Sequence, residues 1–318
     1  MQTRLAVFLQ QFPVAAAGLA LGIASLGLTL ATFYPPLAFL QLSTSLIAVL
    51  LVGTVALKVL LGAQSLWASV SDPAAGPMLP TIAMVLMIAS ESLPTAPAYY
   101  LWGSAVALHL LLLLAFIISR GRDFQLQQLA PTWFIPPIGI AVASVTNPGA
   151  ETYWLSHMLL NFATLCMLLL PLMVYRLWRY PALPKPLKPS LALFAAPPNL
   201  CLVGYLSFDQ SPELTALSLW IVLALTMSMF SYYCFVRLYR KGFSPVFAAF
   251  TFPAVISASA MQQTSEFLTY SDLDSQLVQL FSSIAQVQIL LATVITTLVC
   301  YSYIKHFYAA HLQGAVAN

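Results

Sequence analysis

The run Arg176-Leu177-Trp178-Arg179-Tyr180-Pro181-Ala182-Leu183-Pro184-Lys185-Pro186-Leu187-Lys188 is the longest hydrophilic stretch of the chain, and its reading decides the fold. It carries four cations, three prolines and no acid. Such a segment suits a stiff interfacial connection and is too short for a soluble domain of its own. On either side the chain turns apolar. Over its full length 60% of residues are hydrophobic and 7% charged, against about 25% charged in soluble domains. The chain reads as an integral membrane protein.

The remaining cations fall on alternate connections between apolar segments: Arg4, then Lys58, then Arg120 with Arg122, then Arg237, Arg240 and Lys241, and finally Lys305. The intervening connections carry Glu91, Glu151, Asp209, Glu213, Glu266, Asp272 and Asp274. Basic connections are retained in the cytoplasm, so the alternation predicts cytoplasmic termini and an even number of crossings. A hydrocarbon core about 30 Å thick takes roughly 17 to 25 helical residues. Ten segments meet that length, near residues 11–32, 38–62, 76–95, 99–119, 131–148, 153–176, 189–207, 214–237, 244–263 and 276–303. The expectation is one multi-pass domain over residues 1–318 in the cell membrane, with no cleavable leader before Pro13. The net charge of +3 follows from the loop bias. It says nothing about nucleic acid, and membrane lipid is the expected partner. Cys166, Cys201, Cys234 and Cys300 lie inside these segments without metal-type spacing, so they read as free thiols. No metal or cofactor is expected.

Prolines mark the odd-numbered segments: Pro13, then Pro77 and Pro80, Pro136 and Pro137, Pro197 and Pro198, and Pro253. Among the even-numbered segments only the sixth contains one, Pro171. Taking Pro13, Pro77, Pro136, Pro197 and Pro253, the spacing is about 60 residues, two spans long, as repeated helical hairpins require. Proline removes a backbone donor and kinks a helix, and lipid offers no water to the freed carbonyl. The pattern therefore predicts an all-α polytopic fold of five hairpins, ten transmembrane helices in all. Five Pro-kinked odd-numbered helices would form an inner ring around a central pore, and five even-numbered helices an outer ring.

Four motifs then match a known family. Pro13-Val-Ala-Ala-Ala-Gly18-Leu-Ala-Leu-Gly22, Trp133-Phe-Ile-Pro-Pro-Ile-Gly139, Ala196-Pro197 and Phe250-Thr-Phe252-Pro253 resemble, in order and across the whole chain, the tellurite-resistance/dicarboxylate transporter family. That family includes bacterial tellurite-resistance proteins, slow-type anion channels of plant guard cells and fungal malate and sulfite transporters. The resemblance implies a homotrimer with a separate pore in each protomer, occluded near the bilayer midplane by a phenylalanine that corresponds to Phe252. It also implies that Gly18 and Leu21 face this ring. Ala248, Ala249, Val255 and Ile256, the helical neighbours of Phe252, are modest side chains above which one aromatic would protrude. Thr251, Pro253 and Ile256 are expected to line the pore beside it. The short termini give no support for the phosphorylation control of the plant channels.

No Lys or Arg lies within an odd-numbered segment. Weak sites made by kinked backbone and by Thr81, Thr251, Ser257 and Asn199 would suit small anions such as chloride and nitrate, because conduction requires release as well as binding. The alternative is a proton-coupled carrier for a C4-dicarboxylate such as malate, or for sulfite or tellurite, with His109 or Glu91 in the coupling. His109 sits on an even-numbered helix, where packing or a subunit contact is the expected role. Glu91 is expected at a solvated helix end, with lining of the external mouth as the alternative, His157 at the interface, and Lys58 with its ammonium at the cytoplasmic surface. The odd-numbered segments hold no paired catalytic groups, so an intramembrane enzyme is not expected.

Overall fold

The computed structural model describes residues 4–62, 66–122, 124–208, 213–271 and 275–316, with side chains described for all of these except 4–7 and 308–316. Asp209, Asp272, Asp274 and the side chain of Arg4 lie outside the described residues. Among the described residues the secondary structure is helical throughout. Ten helices carry the fold: α1 (Ala16–Phe33), α2 (Phe39–Leu61), α3 (Gly76–Ser90), α4 (Thr95–Gly121), α5 (Pro131–Val145), α6 (Ala150–Arg179), α7 (Lys185–Phe208), α8 (Leu214–Tyr239), α9 (Pro245–Tyr270) and α10 (Ser275–Phe307). Short helices Arg4–Gln11 and Leu66–Ser71 precede α1 and α3.

Eight of the ten are long and apolar enough to cross a membrane, whereas α3 and α5 are shorter apolar helices. The ten-segment expectation thus meets eight full-length spans, and the proline pairs account for the difference. In α3, a 3-10 turn at Gly76–Met78 gives way to an α-helix only after Pro80. In α5, 3-10 turns at Pro131–Phe134 and Gly139–Ala141 alternate with single α-turns at Ile135–Ile138 and Val142–Val145. Pro136 and Pro137 supply no N–H, so a continuous ladder cannot form there.

The expected kinks take a different form. Pro197 and Pro198 occupy the first turn of the α-helical part of α7, after a 3-10 segment at Lys185–Phe194. Pro253 likewise stands in the first α-turn of α9, after the 3-10 segment Pro245–Phe250. At such positions the missing N–H is one that the helix would leave unpaired anyway. Pro13 precedes α1 altogether, at the break after the helix Arg4–Gln11. These prolines set where a 3-10 entry becomes α-helix and do not bend continuous α-helices.

Burial separates the full-length helices by parity. In α1, α7 and α9, 56%, 67% and 78% of the most apolar window is buried, against 28 to 39% in α2, α4, α6, α8 and α10. Each odd-numbered helix packs on the even-numbered one that follows it. In addition α1 packs on α3, α3 on α5, α5 on α7, α7 on α9, and α9 back on α1. The even-numbered helices expose large apolar side chains such as Leu50, Leu111, Leu165, Leu219 and Leu290. In lipid there is little hydrophobic drive between helices, so close packing of small residues has to hold the centre. Ala16, Ala17, Ala20, Gly22 and Ala24 of α1 supply it. A Cβ on Gly22 would stand 2.1 Å from Thr251 Oγ1, so α1 reaches α9 this closely only with glycine there.

The irregular backbone of α5 is held by side chains of its even-numbered neighbours. Trp102 Nε1 of α4 and Ser156 Oγ of α6 both donate to the Ala143 carbonyl, at 3.3 and 3.2 Å. His109 Nε2 of α4 lies 2.9 Å from the Pro136 carbonyl, which accepts from it. Non-helical backbone at membrane depth requires such protein partners. His109 is fully buried against α5, so the structure rules out the subunit-contact role allowed for it and retains packing.

Two cations brace connections between helices. Lys58 Nζ donates to the carbonyls of Gln10 and Phe12, at 2.9 and 2.5 Å, closing the end of the helix Arg4–Gln11. Arg176 is buried and donates to the carbonyls of Gln127 and Pro181, at 2.7 and 3.2 Å, joining two connections. All four cysteines are free thiols.

Candidate functional site

Two cavities lie along the axis of the odd-numbered helices, and every residue lining them belongs to those helices or their ends. The first, toward the end where Lys58 and Arg120 lie, is narrow, with about 40 Å³ open to a water-sized sphere. Its wall is apolar: Gly18 and Leu21 from α1, Met78 and Met84 from α3, Phe134 and Ile138 from α5, Leu193 and Pro197 from α7, Ala248 and Ala249 from α9. The second, toward Glu91 and Glu266, is wider, about 250 Å³, and more polar than the first. It presents Ser25, Thr29 and Thr32 of α1, Glu91 after α3, Thr146 after α5, and Ser259, Gln262, Gln263 and Glu266 of α9. Neither lining contains Lys, Arg or His.

Phe252 lines both cavities and is 6% exposed. Its position follows from the local chain. Pro253 starts the α-helix of α9, Ala248 and Ala249 on the turn before leave the narrow cavity open, and Val255 and Ile256 on the turn after line the wide one. A single large ring on a stripe of smaller side chains thus belongs to both walls. Gly18 packs beside Ala248, where an added Cβ would make ordinary contact at 3.5 Å.

Of the other expected lining residues, Gly18, Leu21 and Pro253 line the narrow cavity and Ile256 the wide one. Thr251 lines neither. Its hydroxyl donates to the Gly18 and Ala248 carbonyls, at 3.2 and 2.8 Å, and so ties α9 to α1. Pro77 lies off both linings, and so do Pro80, Pro136, Pro137 and Pro198. The donors expected along a path are mostly engaged elsewhere. Thr81 faces the narrow cavity, but its hydroxyl donates to the Met78 carbonyl. Asn199 and Ser257 form part of a buried network behind the cavities.

Sequence reasoning raised Glu91 for the external mouth but missed the other polar groups of the wide cavity, and it missed Leu200, which lines both cavities opposite α9. For the polar wall a signal existed. Phe252, Ile256, Ser259, Gln263 and Glu266 recur at helical spacing on one face of α9, and Ser25, Thr29 and Thr32 do so on α1. Leu200 had no such signal among so many leucines.

The electrostatics of the wide cavity centre on Glu91. The residue is exposed at the helix end, yet the surrounding protein displaces enough water to hold its carboxyl above the usual carboxylate range. His109 lines neither cavity. His157 is exposed near the start of α6, with Asn161 Nδ2 3.3 Å from its Nδ1.

Comparison with known proteins bears on this arrangement. A family model described as voltage-dependent anion channel matches residues 11–303, almost the whole chain. No curated protein matches.

Proposed function

The chain belongs to the voltage-dependent anion channel family, and from that membership we propose that it conducts small inorganic anions of the chloride and nitrate class through a path inside each protomer, closed by Phe252. The observation that carries this reading is the place of Phe252 as a wall common to two cavities that otherwise lie end to end. The closed series of contacts α1–α3–α5–α7–α9–α1 supports an inner ring of five helices, with the even-numbered helices outside it. The short helices α3 and α5 count as crossings in this reading. With only the eight long helices crossing, Arg120 and Arg122 would face outward, against the positive-inside rule. The narrow cavity is then cytoplasmic and the wide one external. Asn161, exposed within α6, would be costly against lipid, which supports a neighbouring subunit over that face and the homotrimer that the sequence resemblance implies.

The lining suits weak binding. With no cation along it, an anion meets partial charges only and is released as readily as it is held. An apolar cytoplasmic half favours ions that surrender water cheaply, so nitrate should exceed chloride. A dicarboxylate would lack the Arg that usually recognises it. The basic connections concentrate anions at the cytoplasmic mouth within about 8 Å at physiological salt.

Reversal potentials of the purified protein in planar bilayers, under mixed chloride, nitrate and malate gradients, test the reading. The expected order is nitrate above chloride, with malate excluded. A malate permeability equal to that of chloride, or flux driven by a pH gradient, would replace the channel with a coupled carrier.

Glu91 adds a pH dependence. An ionised carboxylate in the external vestibule repels the permeant ion, and protonation removes that charge. Because desolvation raises the Glu91 pKa, the proton is taken up at a higher pH than an ordinary glutamate would need. Anion current is expected to increase as external pH is lowered from neutral toward the usual carboxylate range. Glu91→Gln should carry the larger current at neutral pH and lose most of the pH response. An unaltered pH profile in Glu91→Gln would exclude the effect.

A further inference from the structure

We propose that Leu200 is the second half of the barrier, so that the path is closed by a Phe252–Leu200 pair reaching across from α9 and α7, and that the size of the side chain at position 200 sets the residual opening. The inference rests on the reading of Phe252 as the barrier. Of all the residues lining the two cavities, Phe252 and Leu200 alone line both. A septum between two spaces consists of the groups that face both of them, and here those groups stand on different helices that pack together. Leu200 is 2% exposed, so it is a fixed part of the wall and not a side chain swinging in an open vestibule.

The backbone behind the pair explains why Leu200 does not retreat. Asn199, the residue before Leu200, is fully buried, and its Nδ2 donates to the Ala195 carbonyl at 2.8 Å and to Ser228 Oγ at 2.9 Å. Ser228 Oγ lies 2.8 Å from Ser257 Oγ, which in turn donates to the Pro253 carbonyl at 2.7 Å. The residue preceding Leu200 and the residue following Phe252 are therefore joined by one chain of hydrogen bonds through α8. Buried polar groups that are paired in this way hold helices at a set separation. The two faces of the barrier are thus kept at a distance that their side chains must fill. Trimming either one opens it, and enlarging one compensates for loss of the other.

The test measures anion current, normalised to surface protein, in Leu200→Ala, Phe252→Ala, Leu202→Ala and the double variant Phe252→Ala/Leu200→Phe. Leu202 is fully buried on the same helix and lines neither cavity, so it reports general loosening. Leu200→Ala is expected to carry a steady current several-fold above wild type, with Leu202→Ala silent. Leu200→Phe is expected to suppress most of the current of Phe252→Ala. The double variant adds volume and serves if Leu200→Ala fails to fold. A conducting Phe252→Ala with a silent Leu200→Ala and no suppression by Leu200→Phe overturns the role of Leu200 and leaves Phe252 in place. Equal currents from Leu200→Ala and Leu202→Ala also overturn it. Silence of Phe252→Ala overturns the barrier reading itself, and Leu200 with it.

Discussion

Phe252→Ala is expected to convert a silent or weakly conducting protein into one with a large steady anion current. Phe252 borders both an apolar space of about 40 Å³ and a more polar one of about 250 Å³, and in the proposed reading its removal joins them. A hydrophobic constriction opposes ions chiefly by excluding the water that accompanies them. Widening it lowers that barrier, and each 1.4 kcal/mol removed raises the rate about tenfold. The cost to the fold should be smaller than for an ordinary core phenylalanine, where truncation to alanine costs about 3–5 kcal/mol. Phe252 borders open space on two sides, so its truncation strands fewer neighbours. Phe252→Leu should give an intermediate current. The measurement is whole-cell current in oocytes with surface expression determined in parallel. A normally expressed Phe252→Ala without current would remove Phe252 from the role.

How much of this was legible in the chain differs from residue to residue. Eight full-length helices stand where apolar length places them, because that signal is carried by many residues at once, whereas the third and fifth expected spans are shorter helices. Their internal form was harder to read. Pro80, Pro136 and Pro197 read equally well as kinks in long helices or as junctions between 3-10 and α-helical segments. Which one results depends on whether neighbours can take up the stranded backbone groups. At Pro136 the neighbour is His109, 27 positions away in sequence. Phe252 was singled out by the resemblance to a family, with the small residues beside it on one helix face as support. Thr251 beside it was misplaced, since a hydroxyl can turn either to a path or to a neighbouring carbonyl, and the close approach at Gly22 draws it to α1. Leu200 was invisible for a related reason: its significance comes from a space shared with another helix, and no periodicity along α7 encodes that.

His109→Leu is expected to lower the thermal stability of the protein substantially, while leaving any dependence of flux on a pH gradient unchanged. His109 is fully buried, its Nε2 lies 2.9 Å from the Pro136 carbonyl, and its ring edge stands against Gly139, where a Cβ would approach Cε1 to 3.4 Å. Leucine fills similar space but donates nothing, so a carbonyl of the broken helix α5 is left unpaired in a site without water. Stranding a buried acceptor costs about 1–3 kcal/mol. His109→Gln retains an N–H donor on a flexible chain and should melt between wild type and His109→Leu in detergent. The pair of variants also separates two meanings of a histidine inside a membrane. A proton relay needs groups or water on both sides of the ring, and Nδ1 is buried without a hydrogen-bond partner while neither cavity reaches the residue. If His109→Gln abolished flux driven by a pH gradient, or if His109→Leu melted with wild type, the histidine would not be the brace that holds α5 against α4. The expected result ties the one buried histidine of α4 to the irregular helix it supports, and makes the stability of α5 depend on donors supplied from its even-numbered neighbours.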